Sequence, residues 1–124
     1  MLAKKHRLNL SSTNEGNKFD FQSSERFLTN HLIFYFQQNH LETLRVAAIA
    51  PKRIFNKASQ RNLHRRLIYN FLREKISQIN KAQNINFFNE SLDLVIVYKQ
   101  QKFTQENIKE DLDSFFLKYD QRCK

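Results

Sequence analysis

The stretch LRVAAIAPKRIFNKASQRNLHRRLIYNFLREK, residues 44–75, decides the fold. It opens on an apolar run, LRVAAIA (44–50), which reads as a strand apolar enough to lie centrally in a sheet. Pro51 closes that run, because proline cannot donate to a ladder. Asn56 suits a helix N-cap. From Lys57 to about Ile79 the pattern is helical: Leu63, His64, Leu67, Ile68, Phe71, Leu72 and Ile76 recur at three- and four-residue spacing. At about 100° per residue the apolar arc centres near Leu67 and Phe71, and Arg61, Asn62, Arg65, Arg66, Tyr69 and Arg73 fall on roughly the opposite half.

Charge concentrates in the same stretch. The chain of 124 residues carries 21 Lys and Arg against 12 Asp and Glu, a net of +9. Residues 45–75 hold nine of those cations and one acid, Glu74, so the segment alone nets +8. Like charges on one helical surface repel, and almost no acid is interleaved to relieve them. A polyanionic partner, above all nucleic acid, explains such a surface. Arg61 and Arg65 stand one turn apart and can address neighbouring phosphates. Asn62 beside them can donate to a sugar or a phosphate.

Working outward, RFLTNHLIFYFQQ (26–38) is β-favouring, with Leu32, Phe34 and Phe36 on one face and Ile33, Tyr35 and Gln37 on the other. NHLET (39–43) reads as a hairpin loop, and LDLVIVY (92–98) as a short central strand. FTQENIKEDLDSFFLKYDQR (103–122) is an amphipathic helix capped by Thr104, with Glu106 in its first turn and Ile108, Leu112, Phe115, Phe116 and Tyr119 on its apolar side. The order strand, strand, helix, strand, helix gives an α+β fold with helices packed on a small sheet. One domain over residues 1–124 fits this length, with Lys4, Lys5 and Arg7 forming a mobile basic end within residues 1–15.

Several chemistries lack their residues. The four histidines, His6, His31, His40 and His64, show no metal-ligand spacing. With one glycine, Gly16, the chain has no Gly-rich phosphate loop. No nucleophile has a recognisable flank, so no side chain is assigned a catalytic role. The one cysteine, Cys123, excludes an internal disulfide and fits a reducing compartment. The basic start MLAKKHRLNLSS is followed by no long apolar run, so neither a signal peptide nor a membrane span is read, and a cytoplasmic location is expected.

At KASQRNLHRRL the chain resembles the signature of the bacterial ribonuclease P protein subunit. That signature is a strand ending in a Lys-Lys or Lys-Arg pair, a short linker, and a helix opening A-x-x-R-N-x-x-K/R-R. Here stand Lys52-Arg53, then Ala58, Arg61-Asn62 and Arg65-Arg66. MLAKKHRL, LIFYF followed by RVAAIAPKR, and LDLVIVYK with a closing helix resemble other parts of the family, so the likeness covers most of the chain. Two departures stand out: Leu63 replaces the signature's second arginine, and the linker lacks the family's usual glycine.

The resemblance implies a small, mostly antiparallel four-stranded sheet with about three helices and a left-handed βαβ crossover through the basic helix. It places one helix with spaced aromatics before the first strand, loosely matched by NKFDFQ, and residues near Arg26 as the fourth strand. It implies a subunit, monomeric in its complex, that assists a catalytic RNA in cleaving the 5′ leader from precursor tRNA. The RNA and its Mg²⁺ ions, bound mainly by RNA and substrate, would carry the hydrolysis. Lys52, Arg53, Lys57, Arg61, Asn62, Arg65, Arg66, Arg45 and Arg73 would bind RNA, with Tyr35, Phe19 and Phe21 on the leader. A structural RNA-binding protein, such as a small ribosomal protein, is the competing reading of the same charge. A helix-in-groove DNA regulator is a weaker rival, since no helix-turn-helix pair is visible.

Overall fold

The computed structural model describes His6, Leu8 and residues 21–122, with side chains through Tyr119. The elements run β1 (Glu25–Leu28), β2 (Leu32–Gln38), β3 (Leu44–Ile49), α1 (Ala58–Gln83), a 3-10 turn at Phe87–Asn89, β4 (Leu92–Tyr98) and α2 (Gln105–Arg122). The four strands form one sheet in the order β1-β2-β4-β3. β1–β2 and β2–β4 are antiparallel, while β3–β4 is parallel and joined through α1. This is the expected α+β architecture with a mostly antiparallel four-stranded sheet. Two α-helices lie among the described residues; the helix expected before the first strand falls outside them.

Alternation in β2 behaves as its sequence requires: Leu32, Phe34 and Phe36 are buried, while Ile33, Tyr35 and Gln37 are half-buried on the other face. The buried set meets α1 through Ile68, Leu72 and Ile76, and α2 through Ile108, Leu112, Phe115 and Phe116. The Phe34 and Phe115 rings stack with centroids 4.5 Å apart, so the centre of the core rests on aromatic packing.

The residues near Arg26 do form a strand, but the run 26–38 is not continuous. It breaks at residues 29–31, where the Thr29 hydroxyl and the backbone N–H of His31 both donate to buried Asp111 of α2. The true hairpin is therefore β1–β2. Residues 39–43 are not a hairpin loop, because β4 lies between β2 and β3. With so little glycine, this connection turns at His40 (φ 58°) and Glu42 (φ 55°). Asn39 and Ser91 hold it, accepting the N–H groups of Leu41 and Glu42.

β3 is an edge strand, not a central one. Its apolar side chains are buried on both faces, Leu44, Val46 and Ala48 in the main core and Ala47 beside Leu8, and its open edge is occupied as well. His6 Nδ1 lies 2.8 Å from the Leu44 carbonyl, the Leu8 N–H donates to the Val46 carbonyl, and the Tyr69 hydroxyl accepts the Ala48 N–H. An edge so occupied offers little to a foreign strand.

α1 also differs in phase and in cap. The fully buried stripe is Ile68, Leu72 and Ile76, one residue on from the expected centre at Leu67 and Phe71, which are half-buried. Leu63 is 54 % exposed and takes no part in the stripe. The N-cap is Lys57, not Asn56, and makes no side-chain cap bond. At the far end Asn84 adopts a left-handed conformation (φ 53°) and closes the helix on the Asn80 carbonyl. α2 matches its reading: Thr104 Oγ1 accepts the Asn107 N–H, and Asn107 Oδ1 accepts the Thr104 N–H.

Candidate nucleic-acid interface

The basic residues group at the start of α1 and in the linker leading to it. Lys52, Arg53 and Lys57 are exposed in and just after the turn that follows β3. Arg61 and Arg65 are half-buried, while Asn62, Arg66 and Arg73 are exposed. None of the seven cations Lys52, Arg53, Lys57, Arg61, Arg65, Arg66 and Arg73 meets a carboxylate among the described residues, where the ion pairs are His31–Asp111, Arg45–Asp93 and Lys75–Asp113. Contrary to the expected opposite half, this basic arc flanks the buried stripe on the side of β3. Arg61, Arg65, Tyr69 and Arg73 stand four residues apart in one row, and Tyr69 ties that row to Ala48.

Arg61 does more than carry charge. Its Nη1 donates to the carbonyls of Phe55 and Asn56, both at 2.9 Å, which clasps the linker to the helix. Phe55 is buried and stacked on the His64 ring, centroids 4.2 Å apart. Tyr98 and Phe103 complete this aromatic cluster. Arg65 Nη2 donates to Asn62 Oδ1, so the Asn62 amide group stays oriented beside its cation.

The second group lies on the opposite face of the sheet, which no helix among the described residues covers. Directly paired residues place Ile49, Val97, Ile33 and Leu28 in one row across it. Ala47, Val95, Tyr35 and Arg26 form the next row. Leu8 packs on Ala47 and Val95, and the Phe21 ring meets Tyr35 edge-on at 5.1 Å. Phe21 is 43 % exposed. Phe19 lies outside the described residues. Arg45 belongs to this face and not to the helix: its Nε and Nη2 donate to the buried Asp93 carboxylate at 2.7 and 2.6 Å. Asn39 donates to the same carboxylate at 2.8 Å.

Sequence reasoning did not find Arg26, Asp93 or the sealing role of Tyr69. Register joins Arg26 to Tyr35 and Arg45 to Asp93, and only the strand order reveals it. Among the described residues no group of three or more His, Cys, Asp or Glu is placed to hold a metal ion. No helix there is long and apolar enough to cross a membrane.

The fold described above, a four-stranded sheet with a parallel βαβ unit through α1, is shared by solved bacterial ribonuclease P proteins. A sequence model described as Ribonuclease P matches residues 2–120, and the chain belongs to that family. The Ribonuclease P protein component of Mycoplasma pneumoniae is 31 % identical over 83 residues, which span 66 % of this chain and 70 % of that one. The RNase P protein of Thermotoga maritima shares the fold, with a TM-score of 0.59 at 17 % identity over 77 % of this chain and 83 % of that one. That of Staphylococcus aureus gives 0.53 at 15 % identity over 76 % of this chain and 79 % of that one.

Proposed function

We propose that this chain is the protein subunit of ribonuclease P, binding the catalytic RNA through the start of α1 and the preceding linker. The observation that carries the reading is the set of seven cations in residues 52–73 that meet no carboxylate among the described residues. Two of them are fixed in place, Arg61 by the linker carbonyls and Arg65 by Asn62. A surface so charged is stabilised when phosphates replace its missing counter-charges.

The helix-free face of the sheet takes the single-stranded 5′ leader of precursor tRNA. Tyr35 and Phe21 offer ring edges and faces, on which any base can stack. Phe19 joins them in this proposal. Arg45 is reassigned: its fork is occupied and neutralised by Asp93, so it braces the sheet instead of gripping phosphate. In this reading Mg²⁺ is bound mainly by the RNA and the substrate, and the protein is not asked to hold it. The chain's residues bind and orient; none is assigned to bond breaking.

The test is precursor tRNA cleavage by the cognate catalytic RNA at low Mg²⁺, with and without the protein. Cleavage rises on addition. No gain at any Mg²⁺ concentration would defeat the reading and favour a purely structural RNA-binding role.

A further inference from the structure

Arg26 of β1 lies directly opposite Tyr35 of β2. Directly opposed residues project to one face with Cβ atoms about 4.5–5.5 Å apart. Phe27, next along the strand, packs inward on Phe34 and Phe115, which fixes Arg26 on the helix-free face. Arg26 is exposed, and among the described residues its guanidinium has no carboxylate partner. Arg45 on the same face is different, since its fork is closed on Asp93. On one side of the Arg26–Tyr35 row stand Leu28 and Ile33; on the other stand Gln37 and the closed Arg45–Asp93 pair. Among the described residues, a two-pronged donor without a carboxylate partner thus stands beside a half-buried phenol ring.

We infer that Arg26 is a phosphate clasp for the single-stranded leader. With a base lying on the Tyr35 ring, the guanidinium takes the adjoining phosphate and holds the strand across β1 and β2. This rests on the proposed reading of the helix-free face and adds to it a residue outside the basic helix. The chemistry fits both partners. A planar guanidinium gives two parallel hydrogen bonds to one phosphate. Because the ring accepts any base and the fork reads only backbone, the clasp tolerates sequence and responds to leader length.

A charge on β1 also discourages edge-to-edge pairing of sheets, so the test must separate the two roles. The full chain is assembled with its catalytic RNA. Affinity is then measured for two precursor tRNAs, one with a leader of several nucleotides and one with a single-nucleotide leader. Arg26→Ala weakens binding of the long-leader substrate by about tenfold, the size of one charge-assisted contact. Arg26→Glu, which keeps an edge charge, weakens it further, and Arg26→Lys restores part of the loss. The short-leader substrate and the affinity for catalytic RNA do not change. If wild-type protein prefers the long leader and all three variants match it, the Arg26 assignment is overturned alone. If wild-type protein shows no preference between leaders, the platform reading and the clasp are overturned together.

Discussion

The Tyr98 hydroxyl donates to the backbone carbonyl of His64 at 2.8 Å, bolting the end of the central strand to the second turn of α1. The contact sits inside the cluster of Phe55, His64, Tyr98 and Phe103, where linker, helix and sheet meet. The basic end of the helix is thus held rigidly against the sheet, and orientation costs little when a phosphate arrives.

Replacing Tyr98 by Phe removes one buried hydrogen bond and leaves the packing. The expected loss is about 1 kcal/mol, read as a fall in Tm of roughly 3–5 °C. Burial also pushes the Tyr98 phenol well above its ordinary value. The sign follows from linkage: above the ordinary tyrosine pKa of about 10 the unfolded chain releases this proton and the folded chain keeps it. Wild-type stability therefore falls as pH rises through that range, and the Tyr98→Phe variant shows a shallower fall. Equal slopes in alkaline urea titrations would contradict the assignment.

Arg65→Ala and Arg66→Ala each lower affinity for the catalytic RNA by about tenfold, with stability changed by less than about 0.5 kcal/mol. Arg61→Ala lowers affinity and also costs about 1 kcal/mol, because the Phe55 and Asn56 carbonyls lose their shared donor. Filter binding and thermal unfolding on the same samples separate the two classes.

Salt gives a whole-surface check. Seven cations each neutralising one phosphate predict a slope of log affinity on log salt of about −5 to −6. Each single arginine removal lowers the magnitude of that slope by about 1. A flat response would exclude phosphate-dominated binding.

The Arg45–Asp93 pair yields the opposite outcome to the helix arginines. Asp93 is buried, so Arg45→Ala leaves its carboxylate with Asn39 as its one remaining side-chain partner among the described residues, at a cost of about 3–5 kcal/mol. Arg45→Met combined with Asp93→Leu recovers most of that loss, because no uncompensated charge remains. A double-mutant cycle by chemical denaturation measures it.

Local signals carried much of the fold. The alternation of Leu32, Phe34 and Phe36 gave the buried face of β2, and the Thr104 cap gave the start of α2. The basic cluster was equally readable, because Arg61, Arg65 and Arg66 need no partner elsewhere in the chain to be recognised as cations without nearby acids. What escaped was non-local. Nothing in NHLET tells that β4 will insert beside β2, so the segment reads as a hairpin although the chain passes over a strand. The phase of α1 escapes local reading for a related reason. Leu63 counts as apolar in any periodic pattern, yet it lies before the fully buried stripe that begins at Ile68 and stays in solvent. Arg45 looked like one more member of the basic run until the parallel register set it beside Asp93.

The sealed margin of β3 has a consequence for how copies of this chain behave at high concentration. One border of the sheet is already engaged at Leu44, Val46 and Ala48 by an imidazole, a main-chain amide and a phenol. The other, β1, is only four residues long and bears both Glu25 and Arg26. Neither rim templates ribbon growth, so a fold rich in exposed glutamine and asparagine avoids the fibrillar route that its composition would otherwise invite.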